Sequence, residues 1–208
     1  MAPRSSFFDC GTNAAGVAVH IVVQALRGLA CAHALTDADG RPMNVVHRDI
    51  SPHNVLVGFE GETKVFDFGV AHIGTQATPV GGGAGGKAAY MAPEQARGEI
   101  DQLDARTDVY ALGAVLYHVL SGRPPYLPHP TESVLGQVLA GPPPPLNSSD
   151  PGLRSDRPGP PLPAALVEIC ARAMARDPAD RFYSAGALAA ELQAWLDGAK
   201  RQEEARAV

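Results

Sequence analysis

Lysine is scarce in this chain of 208 residues: three, at positions 64, 87 and 200, against fourteen arginines. The net charge is −5, so no basic excess exists to track a nucleic-acid backbone, and no basic amphipathic face offers itself to anionic lipid. Nucleic acid is therefore not an expected partner. The three cysteines, Cys10, Cys31 and Cys170, are far apart and never form C-x-x-C. That excludes a zinc framework or a disulfide scaffold and makes a reducing cytoplasm the expected compartment. The N-terminus, MAPRSSFFDCG, lacks the apolar stretch of a signal peptide. No apolar run is expected to reach the roughly 20 residues of a bilayer span. No glycine-loop pattern G-x-G-x-x-G precedes the stretch HRDISPHN at 47–54, and no lysine precedes Lys64.

What is present suffices for one core: 45% of the residues are hydrophobic. Residues 1–13 carry no periodicity. The body is expected over 14–197, and 198–208 reads as a polar tail. From 14 to 34 apolar residues recur at Val19, Val22, Val23, Leu26 and Leu29, the spacing of an amphipathic helix. DADGRP (37–42) is a turn. NVVH (44–47), VLV (55–57) and KVFDF (64–68) read as short strands, the last two around a GFEGE hairpin loop. DVYALGAVLYHVL (108–120) is apolar nearly all round, so it belongs inside a core. Further helices are expected at 133–140, 164–175 and 185–196, the last capped by Ser184. The Pro-rich stretch 141–163 is an internal loop. The expected fold class is mainly α with small β-ribbons.

Three motifs carry chemistry. HRDISPHN (47–54) fits H-R-D-x-x-x-x-N, DFG stands at 67–69 and APE at 92–94. Taken singly, each is a turn or a surface acid; three in this order are a strong signal. On them the chain resembles the protein kinases, specifically the bacterial relatives of eukaryotic Ser/Thr kinases. The resemblance covers about 16–196 and implies a kinase-like C-terminal lobe lacking the N-terminal β lobe. It implies ATP and Mg²⁺ as cofactors and a protein as substrate. Asp49 would orient the substrate hydroxyl and accept its proton. Asn54, Leu56 and Asp67 would bind the nucleotide, with Asn54 and Asp67 on the metal. Asp108 would hold the catalytic loop through backbone N–H groups. Glu94 and Arg181 would pair to tie the activation segment (67–94) to the helices, and His47 and Phe68 would join the column linking the lobes. Arg48 would meet a phosphate on that segment, with Thr75 and Thr78 as candidate acceptors. His33 and His118 read as satisfied core histidines.

The departures from the family pattern matter as much. Neither the glycine loop nor the strand lysine of the family's other lobe precedes the catalytic loop here. The expectation is a chain that is weak or inactive alone, completed by a separate N-lobe or another kinase chain. A second reading is a pseudokinase-like lobe that binds proteins without catalysis; intact Asp49, Asn54 and Asp67 speak for the enzyme. GGGAGGK (81–87) matches a P-loop in isolation, but Ala88 cannot ligate Mg²⁺ and Pro93 breaks the helix such a loop needs. The S-P-H-N form resembles the Ser/Thr side of the family. In typical members, lysine stands where Ser51 does and touches the γ-phosphate, and threonine stands where Lys87 does. The two appear exchanged, so Lys87 is expected to reach Asp49 and the phosphate, with Ser51 supplying the hydroxyl.

Overall fold

The computed structural model describes residues 14–68, 86–146 and 162–206. Thr75, Thr78, the segment 1–13, most of the GGGAGGK stretch and the middle of the Pro-rich loop lie outside the described residues. Six α-helices and one two-stranded antiparallel ribbon are described: α1 (Ala14–His33), β1 (Val55–Val57), β2 (Thr63–Val65), α2 (Pro93–Ala96), α3 (Ala105–Ser121), α4 (Val134–Ala140), α5 (Ala164–Ala173) and α6 (Ala185–Arg206). The ribbon register pairs Val55 with Val65 and Val57 with Thr63.

Helix α3 is the centre. Asp104 caps it by accepting from Arg106 N at 2.7 Å, and Gly122 ends it at φ 80°, a left-handed turn that glycine adopts without a Cβ clash. Val109, Tyr110, Leu112, Val115 and Leu116 are all buried, as an all-round apolar helix requires. Helix α1 closes one side of α3 with Val19, Val22, Val23, Leu26 and Leu29, and α6 packs on α1 through Leu188 and Leu192. Helix α5 packs against α3 at Gly113, where an added Cβ would lie 2.9 Å from Ala173 Cβ and 3.3 Å from its backbone carbon.

Four expectations are corrected. NVVH is not a strand: Asn44 takes φ 48°, and the amides of His47 and Arg48 bond to Asp108 instead of a neighbouring strand. The second strand ends at Val65, before Asp67 turns left-handed at φ 62°. The last helix runs through most of the polar tail, to Arg206, with Ser184 Oγ accepting from Ala187 N at 3.1 Å. Finally, residues Ala15–His33 are long and apolar enough, by length and composition, to cross a membrane. The stretch escapes a count of large aliphatics because alanines and glycine fill it. Here its large side chains serve as core.

The close approach at Gly113 sets the first prediction. Gly113→Val should destabilise the fold by roughly 1–3 kcal/mol, since neither Ala173 nor the α5 backbone can give way. Urea denaturation monitored by circular dichroism measures it.

Candidate active site

The site is built from α3 outward. Asp108, in the first turn of α3, is buried and spends both carboxylate oxygens on the 47–54 loop and its neighbour. Oδ1 accepts from Arg48 N at 2.9 Å; Oδ2 accepts from His47 N at 2.8 Å and meets His33 Nε2 at 2.8 Å. The loop is held from inside as well. His47 Nε2 lies 3.0 Å from Phe66 O, while its Nδ1 accepts from Asp49 N at 3.3 Å, which assigns the proton to Nε2. The His47 ring sits 4.5 Å from that of Phe68, so the two meet as the motif reading expects.

Arg48 takes φ 68° and Asp67 φ 62°. Such left-handed backbones cost of order 1–3 kcal/mol each and persist only where the surroundings dictate them. At Arg48 the surroundings are visible. Its amide is held by Asp108 and its carbonyl accepts from Gln95 Nε2 at 2.8 Å. Gln95 also accepts from Ala92 N at 3.3 Å. It therefore ties the A-P-E turn to the catalytic loop, a role that sequence reading missed. His33 was expected as a satisfied core histidine, yet among the described residues only its Nε2 is satisfied; its buried Nδ1 meets no partner there.

Past Asp49 the chain makes a single 3-10 turn, Pro52–Asn54, and enters β1. Buried Asn54 donates its amide to Asp49 O at 2.6 Å and to Asp49 Oδ2 at 3.1 Å. No hydrogen bond among the described residues reaches its Oδ1, which leaves a hard oxygen available. Phe66 N donates to Asn54 O at 3.1 Å, extending the ribbon so that Asp67, exposed, follows directly beside the loop. Leu56 stands on β1, 58% exposed, an apolar surface next to these acids. An amide oxygen and one carboxylate, completed by phosphate and water, are the sparse hard-oxygen set that Mg²⁺ takes. The donor set therefore fits the ion the resemblance implies.

Lys87 opens a 3-10 turn, Lys87–Tyr90, not the long helix of a P-loop. Its Nζ lies 2.6 Å from Asp49 Oδ2, both side chains being about two-fifths exposed. The expected reach is met. Ser51, expected to supply a hydroxyl, is fully buried, and no hydrogen bond among the described residues reaches its Oγ. Tyr90, at the end of the same turn, is buried and its hydroxyl shares a hydrogen bond with His118 Nδ1 on α3. Burial pushes the Tyr90 hydroxyl up to about 12 and holds His118 below the usual imidazole value, so this pair is neutral.

Glu94 and Arg181 form the expected pair. Arg181 Nη1 and Nη2 reach the two carboxylate oxygens at 2.8 Å each, and both side chains are sealed from solvent. Thr107 Oγ1 adds a third bond to Glu94 at 3.0 Å. Arg181 also donates to the carbonyls of Ala175, Arg106 and Arg176, and its guanidinium lies 4.9 Å from the Tyr110 ring centroid. Burial pushes the Glu94 carboxyl up, but the bonds and charge of Arg181 outweigh it and hold the group below the usual carboxylate range.

Residues 10–191 match the protein kinase domain. The chain belongs to the protein kinase family. Among relatives of this kinase domain, a tyrosine-protein kinase, MasK of Myxococcus xanthus, is 40% identical over 181 residues, covering 86% of this chain and 26% of MasK. The serine/threonine-protein kinase PknB of Mycobacterium leprae is 34% identical over 177 residues, 84% of this chain and 25% of PknB. A probable serine/threonine-protein kinase PknB of Bifidobacterium longum is 35% identical over 159 residues, 75% of this chain and 21% of its own length. The kinase domain thus spans about a quarter of the relatives it matches.

Two predictions follow from the anchors. Asp108→Ala should strand the amides of His47 and Arg48, at about 1–3 kcal/mol for each buried donor left unpaired. Hydrogen exchange at those two amides should accelerate while α6 stays protected. Glu94→Gln should cost about 3–5 kcal/mol at pH 7 by leaving Arg181 uncompensated. Because the Glu94 carboxyl is depressed, its contribution is complete above about pH 4.3 and is lost as pH falls through its folded value. Wild type and variant should therefore converge in urea titrations below that range.

Proposed function

We propose that this chain is the C-terminal lobe of a bacterial serine/threonine protein kinase and carries its phosphoryl-transfer residues. The observation that carries the reading is the hydrogen bond from the Asn54 amide to Asp49 Oδ2 on a loop held by Asp108, with Asp67 next in the chain after Phe66, whose amide pairs with Asn54 O. Asp49 orients the substrate hydroxyl and accepts its proton. The hydroxyl oxygen forms the new bond to the γ-phosphorus as the bond to the β,γ-bridging oxygen breaks, and ADP leaves. Asn54 Oδ1 and the Asp67 carboxylate would hold Mg²⁺, which would supply positive charge to the phosphates when bound. Phosphoryl transfer depends on such positioning more than on covalent help.

Serine and threonine are the proposed acceptors, supported by the S-P-H-N loop and by the similarity to the PknB serine/threonine-protein kinases. No glycine loop or lysine that would clamp the phosphates precedes the HRDISPHN stretch. We therefore take the chain alone as a weak catalyst that works with a nucleotide-clamping lobe, in the cytoplasm, where the exposed free thiol of Cys31 would stay reduced.

The test is transfer from labelled ATP to a generic protein substrate, by the chain alone and by the chain joined to the clamping lobe of a bacterial relative. The joined protein should be active, and Asp49→Asn should lower its turnover by about 10²–10⁴-fold. Acid hydrolysis should release phosphoserine or phosphothreonine. Phosphotyrosine alone would overturn the acceptor assignment, and undiminished transfer by Asp49→Asn would overturn the enzyme reading.

A further inference from the structure

The Asp49 carboxylate is divided between two tasks. Oδ2 takes both Lys87 Nζ at 2.6 Å and Asn54 Nδ2 at 3.1 Å. No hydrogen bond among the described residues reaches Oδ1. A substrate hydroxyl bonded to Asp49 therefore has Oδ1 to use, within hydrogen-bond reach of about 2.6–3.2 Å. The phosphoryl group it attacks must lie next to that hydroxyl oxygen. An ammonium on the neighbouring carboxylate oxygen then stands within a few ångströms of the phosphoryl oxygens. Arriving phosphate also adds negative charge to a site that already holds Asp49 and Asp67.

Lys87 is placed to answer it. Its backbone is fixed, because Ala88, Ala89 and Tyr90 of the same turn are buried in the core. Its side chain is free to swing, being 43% exposed on a four-carbon stem. Ser51 cannot share this work, since its hydroxyl is enclosed.

We propose that Lys87 is the cation that contacts the terminal phosphate of the bound nucleotide, moving from Asp49 Oδ2 to the phosphoryl oxygens as the nucleotide binds. This rests on the kinase reading. Lys87 supplies charge only: no bond to it forms or breaks, and the hydroxyl proton still goes to Asp49. The contact makes the site prefer a nucleoside triphosphate to a diphosphate.

The test compares MgATP and MgADP binding to the chain by ³¹P NMR, which reads weak affinities and needs no turnover. Lys87→Met should weaken ATP binding about tenfold, the loss of one charge-assisted hydrogen bond, and change ADP binding less than about twofold. Lys87→Gln, which keeps a hydrogen-bond donor without the charge, should behave like Lys87→Met. Lys87→Arg should keep the preference for ATP. Unchanged thermal midpoints would show that the fold is intact, as the exposure of the pair leads one to expect. Equal loss of ATP and ADP binding, or no loss of either, would overturn the assignment and leave the kinase reading standing. Failure of both the unaltered chain and the chain joined to a clamping lobe to bind either nucleotide would bring down both.

Discussion

One buried carboxylate sets the geometry on which the site depends. Asp108 stands in the first turn of α3, where the helix dipole favours negative charge, and turns its two oxygens on a loop about sixty residues earlier in the chain. Without those acceptors the amides of His47 and Arg48 would be stranded, and Arg48 would have less reason to keep its left-handed backbone. That unusual φ directs the chain so that Asp49 leaves the core while His47 stays in it. The exposure of the base and the burial of its neighbour are two results of one anchor.

A second buried charge does for the A-P-E turn what Asp108 does for the loop. Arg181 uses all of its planar fork, two nitrogens on Glu94 and the rest on carbonyls from two other segments. Gln95, one residue along, then carries that rigidity to Arg48. The loop is thus fixed from the helix side by Asp108 and from the activation-segment side by Gln95. Between the two, Asp49 and Lys87 keep their partial exposure. The anchoring charges, Asp108, Glu94 and Arg181, are buried and bonded, and the parts that must meet a ligand are partly exposed.

The chemistry was legible because spacing alone places Asp49, Asn54 and Asp67, and the helices were legible from apolar periodicity. The departures have local causes. Val45 and Val46 look like a strand, but a strand needs a partner, and a side chain from α3 takes the amides that follow them. The burial of Ser51 could not be read from its type, since serine is as much at home in water as in a turn. Gln95 and His33 act across 47 and 75 residues, a kind of contact that no local pattern announces. Lys87 was the useful exception. Two departures from one family pattern pointed to a contact that the structure makes, although only the lysine half of the exchange is present.

The pairing of α1 with α6 has a consequence for biosynthesis. The stripe from Val19 to Leu29 is made before both helices that pack on α1, α3 from Ala105 and α6 from Ala185. At about 5–20 residues per second, the ribosome leaves that stripe without its cover for on the order of ten seconds or more. During that time a segment of membrane-span length and apolarity is offered to whatever binds emerging hydrophobic chain. The nascent chain is therefore a client for chaperones in a way that the finished domain, with the same residues closed into its core, is not.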